Sequence, residues 1–212
     1  MIIAIDGPAA AGKGTLGRRL AQHFNLAFLD TGGLYRAVAV KVLERGGDPA
    51  DPAAAAAAAK TIEAADLESP RLREDGVSEA ASVVAAQPAV RAALLAFQRD
   101  FARHPPARFA GALLDGRDIG TVVCPDANVK LFVTATAEAR ALRRFKELQA
   151  AGVGTIYQRV LQDIEQRDAR DRERQTAPLR PASDAIELDT TALDADAAFA
   201  KAADLIARKL KG

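Results

Sequence analysis

A glycine-rich segment near the start of the chain has the residue types that bind phosphate. Gly7 and Gly12 enclose four residues and precede Lys13, directly after an apolar run. Small residues let backbone N–H groups turn inward around an anion, and a helix that follows points its positive end at the same phosphates. The lysine reaches the β- and γ-phosphates, while a nearby hydroxyl serves Mg²⁺ or a phosphate oxygen. The segment predicts a nucleoside-triphosphate site formed by Gly7, Pro8, Ala9, Ala10, Ala11, Gly12, Lys13, Gly14 and Thr15.

The hydroxyl of this segment is displaced by one residue, because Gly14 occupies the usual Ser/Thr position and Thr15 follows it. An ordinary Gly/Ala-rich turn between a strand and a helix is the alternative. An apolar strand-like run precedes the segment, and the helical stripe Leu16, Leu20 and Phe24 follows it. This is the context that a phosphate-binding loop requires, so it favours the site over the turn.

A helix with regularly spaced arginines is the second candidate for phosphate chemistry. Residues at spacing i, i+3, i+4 and i+7 share one helix face. Arginine forks match phosphate oxygens, and phosphoryl transfer is catalysed by positioning and charge neutralisation. A solvated face with i, i+4 ion pairs is the alternative. The residues concerned are Arg167, Arg170, Asp171 and Arg174.

A third polar segment, Asp115-Gly116-Arg117-Asp118, follows an apolar run and places two carboxylates and a guanidinium in one short turn. An ordinary Asp-Gly turn is the alternative. Ligands of open α/β sheets bind at the carboxyl ends of the strands, where we expect Asp6, Asp30 and Asp115. That position favours a site over a turn.

The elements that position these residues alternate along the chain, which predicts an α/β fold with a doubly wound parallel sheet. Two regions, about 49–106 and about 149–181, leave the sheet as excursions. We expect 30–36 to be a loop that opens a helix, and 67–76 to be a loop or a minimal hairpin. The predicted strands are 2–6, 26–29, 109–114, 129–133 and 185–189.

The composition limits the classes of partner. The 212 residues include 29 Lys+Arg and 28 Asp+Glu, a formal net charge of +1, so no global field recruits nucleic acid or a membrane surface. No apolar run is long enough to span a bilayer. The start of the chain has no basic region or cleavage site. The single cysteine, Cys124, cannot form an intrachain disulfide, and we expect it in the core of a cytoplasmic protein. We also expect a monomer.

Together these segments resemble the bacterial cytidylate kinases, a family of P-loop nucleoside monophosphate kinases. The resemblance covers nearly the whole chain in the same order, and the segment 115–123 is its most specific part. It implies a three-layer P-loop kinase fold over 1–212, with a five-stranded parallel sheet, a helical NMP-binding excursion (49–106) and a mobile lid (149–181). The matching segments are GKGT at 12–15, DTGGLYR at 30–36, DGRDIGTVV at 115–123, RDARDR at 167–172 and APL at 177–179.

The resemblance also implies a reaction, phosphoryl transfer from ATP to CMP or dCMP with Mg²⁺. Lys13 and the loop amides would bind the ATP phosphates, with Thr15 at Mg²⁺ directly or through water. Arg36 would bind the CMP phosphate, which is itself the ionised nucleophile. The implied catalytic residues are Lys13, Arg117, Arg167 and Arg174.

The acceptor nucleotide receives the remaining residues by the same resemblance. Asp171 would bind the sugar. Cytosine offers an amino donor and two acceptors, which suits a carboxylate and a guanidinium. The residues implied in CMP binding are Thr31, Tyr35, Arg36, Ser82, Arg91, Arg117, Asp118, Arg167, Asp171 and Arg174. One departure is that 66–77 is too short for the small β-sheet insertion that the family typically carries ahead of Ser82.

Three alternatives remain from the residues alone. An adenylate, uridylate or thymidylate kinase shares the loop, although adenylate kinases typically have Asp-Gly-Phe-Pro-Arg in place of 115–118. A regulatory GTPase needs an Asn-Lys-x-Asp motif, but Asn25 and Asn128 precede Leu and Val. A nucleotide-binding module without turnover is disfavoured by the lysine and the arginines.

Overall fold

Five parallel strands form the centre of the fold. A computed structural model describes residues 1–74 and 76–211, in which the strands pair in the order β2-β3-β1-β4-β5. Every pairing is parallel, which confirms the predicted α/β class and the five-stranded sheet. The strands are β1 Ile2–Asp6, β2 Ala27–Asp30, β3 Ala112–Gly116, β4 Val129–Thr134 and β5 Ile186–Asp189.

The register of the sheet brings three acidic residues to one edge. Asp6 of β1 lies opposite Gly116 of β3, and Asp30 of β2 lies opposite Asp115. Parallel strands end at the same edge, so the predicted gathering of Asp6, Asp30 and Asp115 is confirmed.

Helices cover both faces of the sheet. The side chains of a strand alternate between faces, so Ile3 and Ile5 pack with α1 and α8 while Ala4 packs with α2, α3 and α5. This arrangement confirms the three layers. The helices are α1 Lys13–His23, α2 Thr31–Glu44, α3 Pro52–Ala59, α4 Val77–Ala85, α5 Pro88–Arg103, α6 Ala137–Ala150, α7 Tyr157–Glu173 and α8 Ala195–Lys211.

Local signals explain several helix starts. Asp51 accepts a hydrogen bond from the N–H of Ala53 at 2.9 Å, and Pro52 occupies the first turn of α3. Thr136 caps α6 in the same way through Ala139. The α6 and α7 helices pack on each other through Ala141 and its neighbours rather than on the sheet.

Two predictions for the region between β2 and β3 are corrected. Helix α2 begins at Thr31 rather than after a loop, because burial of Leu34 and Tyr35 outweighs the poor helix propensity of the preceding glycines. The segment 67–76 is no hairpin: two 3₁₀ turns, Ala64–Glu68 and Pro70–Arg73, occur there, and Asp75 lies outside the described residues. Among the residues described, no strand lies between β2 and β3.

The third strand begins later than predicted. Phe109 donates a hydrogen bond to the carbonyl of Pro106 in a turn, and Ala110 donates to the carbonyl of Asn25, but neither residue is paired in the sheet. Strand β3 starts at Ala112, where pairing with Ile2 begins, and includes Asp115 and Gly116.

Two further predictions concern Cys124 and membrane-spanning helices. Cys124 is buried, as predicted. No single helix in the described part of the chain is long and apolar enough to cross a membrane; α4 and α5 reach the required length and composition only as a pair bent by 95°.

Candidate functional site

The loop between β1 and α1 folds tightly around its lysine. Gly7 has a φ of +147°, and a Cβ there would lie 1.9 Å from the carbonyl oxygen of Val133, so only glycine fits. The Nζ of Lys13 is buried, donates to the carbonyl of Pro8 at 2.8 Å and lies 3.9 Å from Oδ1 of Asp115. Burial lowers the pKa of Lys13 and raises that of Asp115.

The first turn of α2 lies at the same edge of the sheet. Thr31 donates its hydroxyl proton to the carbonyl of Asp115 at 2.8 Å. Arg36, one turn later, pairs with Asp30 at 2.7 Å. Although burial opposes it, that guanidinium holds the pKa of the Asp30 carboxyl below its usual range. Of the residues predicted at 30–36, Asp30, Thr31 and Arg36 therefore lie at the same edge of the sheet as the phosphate loop, whereas Leu34 packs in the core.

A cavity of about 200 Å³ lies between α2, α5 and the segment after β3. Inside it Arg91 of α5 donates a hydrogen bond to Asp118, and both side chains are buried. The Arg91 guanidinium also lies 5.6 Å from the centre of the Tyr35 ring. The structure thus brings together three of the residues predicted to bind the acceptor nucleotide. Thr176, Gln98, Leu95 and Val122 are among the other lining residues.

An arginine-rich cluster adjoins this cavity. Arg117 donates from Nε to Asp171 at 3.0 Å, which joins β3 to α7. Arg174 donates to the carbonyl of Ala177 at 2.7 Å, and its terminal nitrogens lie 3.9 Å from Asp118 and from Asp171. Arg117 and Arg174, two of the four predicted catalytic side chains, therefore belong to one cluster. Arg167 of α7 is a third member, since Arg117 and Asp171 affect its pKa.

The cluster carries unbalanced positive charge. Burial and then Arg117 lower the pKa of Arg167 to about 10, so it stays protonated at neutral pH. Burial opposes ionisation of Asp171, but Arg117 and Arg167 hold its pKa below the usual range. Within the described residues, Nε of Arg167 and Nη2 of Arg174 are buried without a hydrogen-bond partner. Unpaired buried guanidinium donors suit an anionic ligand.

Helix α7 reaches across the cleft to α4. Arg167 donates to the hydroxyl of Ser78 at 2.9 Å, and Arg170 donates to that of Ser82 at 2.8 Å. Ser82, predicted to contact the base, is thus held by an arginine of the second excursion. The two excursions therefore contact each other directly.

Asp168, in the same half of α7 but on another face, is held beside the phosphate loop. Arg140 of α6 makes two hydrogen bonds to Asp168, at 3.0 and 2.6 Å, and a third to the carbonyl of Ala9 at 3.1 Å. All of these atoms are buried. A cavity of about 460 Å³ lies beside this pair, between the start of α6 and α7, and is lined by Thr136 and Arg172 among others.

Sequence reasoning missed several residues of the site. Arg170 appeared only as a member of a helix face, yet it binds Ser82. Gln98 is buried and lines the cavity. A signal existed for Gln98, because a polar residue interrupts the apolar spacing of Val90 and Leu94 on the buried face of α5. No local pattern marks Thr176 as a lining residue.

Comparison with known proteins agrees with this geometry. The family model described as "Cytidylate kinase" matches residues 3–208. Proteins named cytidylate kinase from Paramagnetospirillum magneticum, Rhodospirillum rubrum and Granulibacter bethesdensis are 60%, 56% and 59% identical to the chain. Each comparison covers 98% of the relative and 98% or 99% of this chain.

One solved structure, an uncharacterized protein from Eubacterium ventriosum, superposes with a TM-score of 0.52 at 18% identity. The alignment covers 100% of this chain and 98% of that one. At this identity the likeness concerns the fold alone.

Proposed function

We propose how the residues of this chain, which belongs to the cytidylate kinase family and is an ATP-dependent kinase of CMP and dCMP, take part in the reaction. The supporting observation is the buried Arg91–Asp118 pair in a cavity that adjoins the arginine cluster. The cavity suits a cytosine ring, and the arginine cluster suits phosphate.

The base would be selected by hydrogen-bond polarity. Asp118 accepts from the N4 amino group of cytosine, and Arg91 donates to its O2 and N3 acceptors. Uracil has a carbonyl oxygen on C4 in place of the amino group. This oxygen would face the Asp118 carboxylate, which would then have no donor on the base. A site that hydrogen-bonds one group rejects an analogue that lacks it, because its buried polar atoms are then unpaired.

The transferring group would lie between the phosphate loop and α7. Lys13 and the loop amides neutralise the triphosphate, while Arg117, Arg167 and Arg174 neutralise the CMP phosphate and the developing charge. Arg36 and Thr31 complete this side of the site, and Asp171 contacts the sugar. The CMP phosphate oxygen is already ionised at neutral pH, so it attacks the γ-phosphorus without a general base.

Mg²⁺ suits the oxygen donors available here. Mg²⁺ is usually held by one or two carboxylates plus substrate phosphates and waters. The Asp115 carboxylate lies close to the start of α1, since a Cβ built on Gly14 would be 3.8 Å from its Oδ2. The next residue, Thr15, is exposed. Thr15 and Asp115 would hold the ion, which would supply charge neutralisation at the triphosphate.

Helix α7 would serve as the lid of the single kinase domain, with 49–106 as the acceptor excursion. Its contacts to Ser78, Ser82 and the phosphate loop exclude water when both nucleotides are bound, which limits hydrolysis. The larger cavity beside Arg140 has the size and position to receive the adenosine of ATP. A cytoplasmic monomer that binds neither nucleic acid nor membrane fits the balanced net charge and the single buried cysteine.

A coupled assay of ADP release tests the proposal. ATP·Mg²⁺ is supplied with CMP, dCMP, UMP, AMP, dTMP or no acceptor, side by side. We expect turnover with CMP and dCMP to exceed that with the other acceptors by at least about 100-fold, the range that such polar discrimination reaches. Equal turnover with UMP would refute base reading by Asp118 and Arg91. ADP release only without an acceptor would refute the transfer itself.

A further inference from the structure

The carboxylate of Asp6 binds the backbone of the segment that follows Asp118. Its Oδ1 accepts the N–H of Ile119 and its Oδ2 accepts the N–H of Gly120, both at 2.7 Å. Asp6 is 4% exposed and ends β1, directly before the phosphate loop. The proposed transfer chemistry does not use this carboxylate.

The segment that Asp6 binds is a π-helical turn, Ile119–Val123, whose first carbonyl acceptor is Asp118. The N–H groups of Val122 and Val123 donate to the carbonyl of Asp118 at 2.9 and 3.1 Å. The backbone of Asp118 is therefore part of the turn, so a shift of the turn displaces its carboxylate.

Arg99 of α5 holds the opposite end of the same turn. Its guanidinium donates to the carbonyls of Val122 and Val123 at 3.0 and 3.1 Å. Asp6 thus accepts from the first two N–H groups of the turn, and Arg99 donates to its last two carbonyls. These are the groups that a helical turn leaves unpaired at its two ends.

The packing around Gly120 leaves the turn little freedom. A Cβ on Gly120 would lie 3.1 Å from Cδ of Lys130 and 3.4 Å from Oδ2 of Asp6. A side chain at this position would press on Lys130 and on the Asp6 carboxylate, so glycine gives both of them room. The geometry is specific to a two-oxygen acceptor, because two N–H groups face two different oxygens.

We propose that Asp6 is a positioning residue for base selection, which fixes the Asp118 carboxylate relative to the acceptor base by holding the turn Ile119–Val123. The inference rests on the proposed reading of cytosine by Asp118. An asparagine at position 6 has one acceptor oxygen, so one N–H loses its partner and faces an amide N–H₂ instead. Asp118 then moves relative to the base pocket while its own side chain is unchanged.

The test compares kcat/KM for CMP and for UMP in the wild-type protein and in Asp6→Asn. Because small misplacements of a positioned group cost up to about 100-fold, we expect the CMP:UMP ratio of kcat/KM to fall about tenfold. The KM for ATP should stay within about twofold, since the loop amides and Lys13 are unchanged. Melting temperatures are measured in parallel.

Arg99→Met supplies a second variant that leaves the phosphate loop untouched. It removes the donors at the other end of the turn, so the CMP:UMP ratio should fall in the same direction. Asp194→Asn is the matched control, because it makes the same chemical change in a carboxylate that also accepts two backbone N–H groups, those of Asp196 and Ala197 at 3.0 and 2.8 Å, at the start of α8 and away from the turn. Its ratio should equal that of the wild type.

The outcomes separate the inference from the function beneath it. If the wild-type protein prefers CMP but Asp6→Asn and Arg99→Met keep the wild-type ratio, the positioning role is refuted and base reading by Asp118 stands. If Asp6→Asn fails to fold, Arg99→Met decides alone. A fall in all rates that leaves the ratio unchanged also refutes the role. A wild-type protein that does not discriminate CMP from UMP refutes base reading, and the inference with it.

Discussion

The two proposed substrate sites of this protein, for the triphosphate and for the acceptor nucleotide, are built in different ways. The triphosphate site is one continuous strand–loop–helix segment, in which glycines allow the tight loop and backbone N–H groups at the start of the helix would bind phosphate. The acceptor site is assembled from α2, α4, α5, the turn after β3 and α7, and charged pairs such as Arg91–Asp118 and Arg117–Asp171 hold it together. One site is local and the other is a junction of distant segments.

This difference predicts how each site responds to substitution. In a local loop, one side chain can be removed without moving the others. At the junction the pairs Arg91–Asp118 and Arg117–Asp171 are largely buried, so removal of one partner leaves the other charge uncompensated, and double variants of a pair will be non-additive.

The largest effect is expected in the local site. Lys13→Met removes the one lysine that the loop encloses, and we expect a loss of roughly 1,000-fold in kcat, as for removal of a transition-state charge donor. Circular dichroism and melting temperature should change little. Lys60→Met, an exposed lysine, is the control in steady-state assays. A loss below tenfold would show that Lys13 does not contact the transferring group.

The next effect tests the junction. Asp118→Ala leaves the Arg91 guanidinium buried without its partner, so kcat/KM for CMP should fall roughly 100-fold and the melting temperature should drop. Binding of ATP, measured by titration calorimetry, should stay near the wild-type value. Arg91→Ala should behave alike, and the double variant should cost less than the sum of the two. Equal loss of ATP and CMP binding would contradict the separation of the sites.

A smaller effect is expected at the contact between the excursions. Arg170→Ala removes the donor to Ser82, and a charged hydrogen bond of this kind predicts an increase of about tenfold in the KM for CMP. Arg159→Ala is the matched control, since this arginine of the same helix is exposed. Steady-state kinetics with CMP varied measures both. An equal effect in the two variants would assign the change to the helix rather than to the contact.

The smallest effect concerns pH. Burial raises the pKa of Asp6 to about 7, although the N–H groups of Gly120 and Ile119 lower it; of its charged neighbours, Asp118 raises it and Lys13 lowers it. The carboxylate that holds the turn is therefore about half ionised near pH 7 and mostly ionised above it. The CMP:UMP ratio should rise two- to threefold, roughly, from about pH 6 to about pH 8. Phosphate titration is common to both nucleotides and cancels in the ratio.

The control for this pH profile is Asp6→Asn, whose ratio should not change over the same range. An unchanged wild-type ratio would show that protonation of Asp6 does not affect the turn. The same pKa shift has a consequence for folding. The folded protein holds a proton that the unfolded chain releases, so this residue makes the free energy of unfolding decrease as pH rises from about 4 to about 7.

The sequence by itself determined the parts that depend on local spacing. The glycines and lysine of 7–13, the apolar strand runs and the arginine spacing of α7 are short-range patterns, and each predicted an element that the structure contains. The acidic residues at strand ends were predictable as well, because parallel strands must end at one edge.

Tertiary structure alone decided which distant charges meet. Arg170 on Ser82, Arg140 on Asp168 and Asp6 on the turn after Asp118 join residues 88, 28 and more than 110 positions apart. No local pattern encodes such pairs, since they depend on how the excursions pack on the sheet. Buried charges and backbone N–H groups must find partners once water is excluded, and the fold determines which partners are within reach.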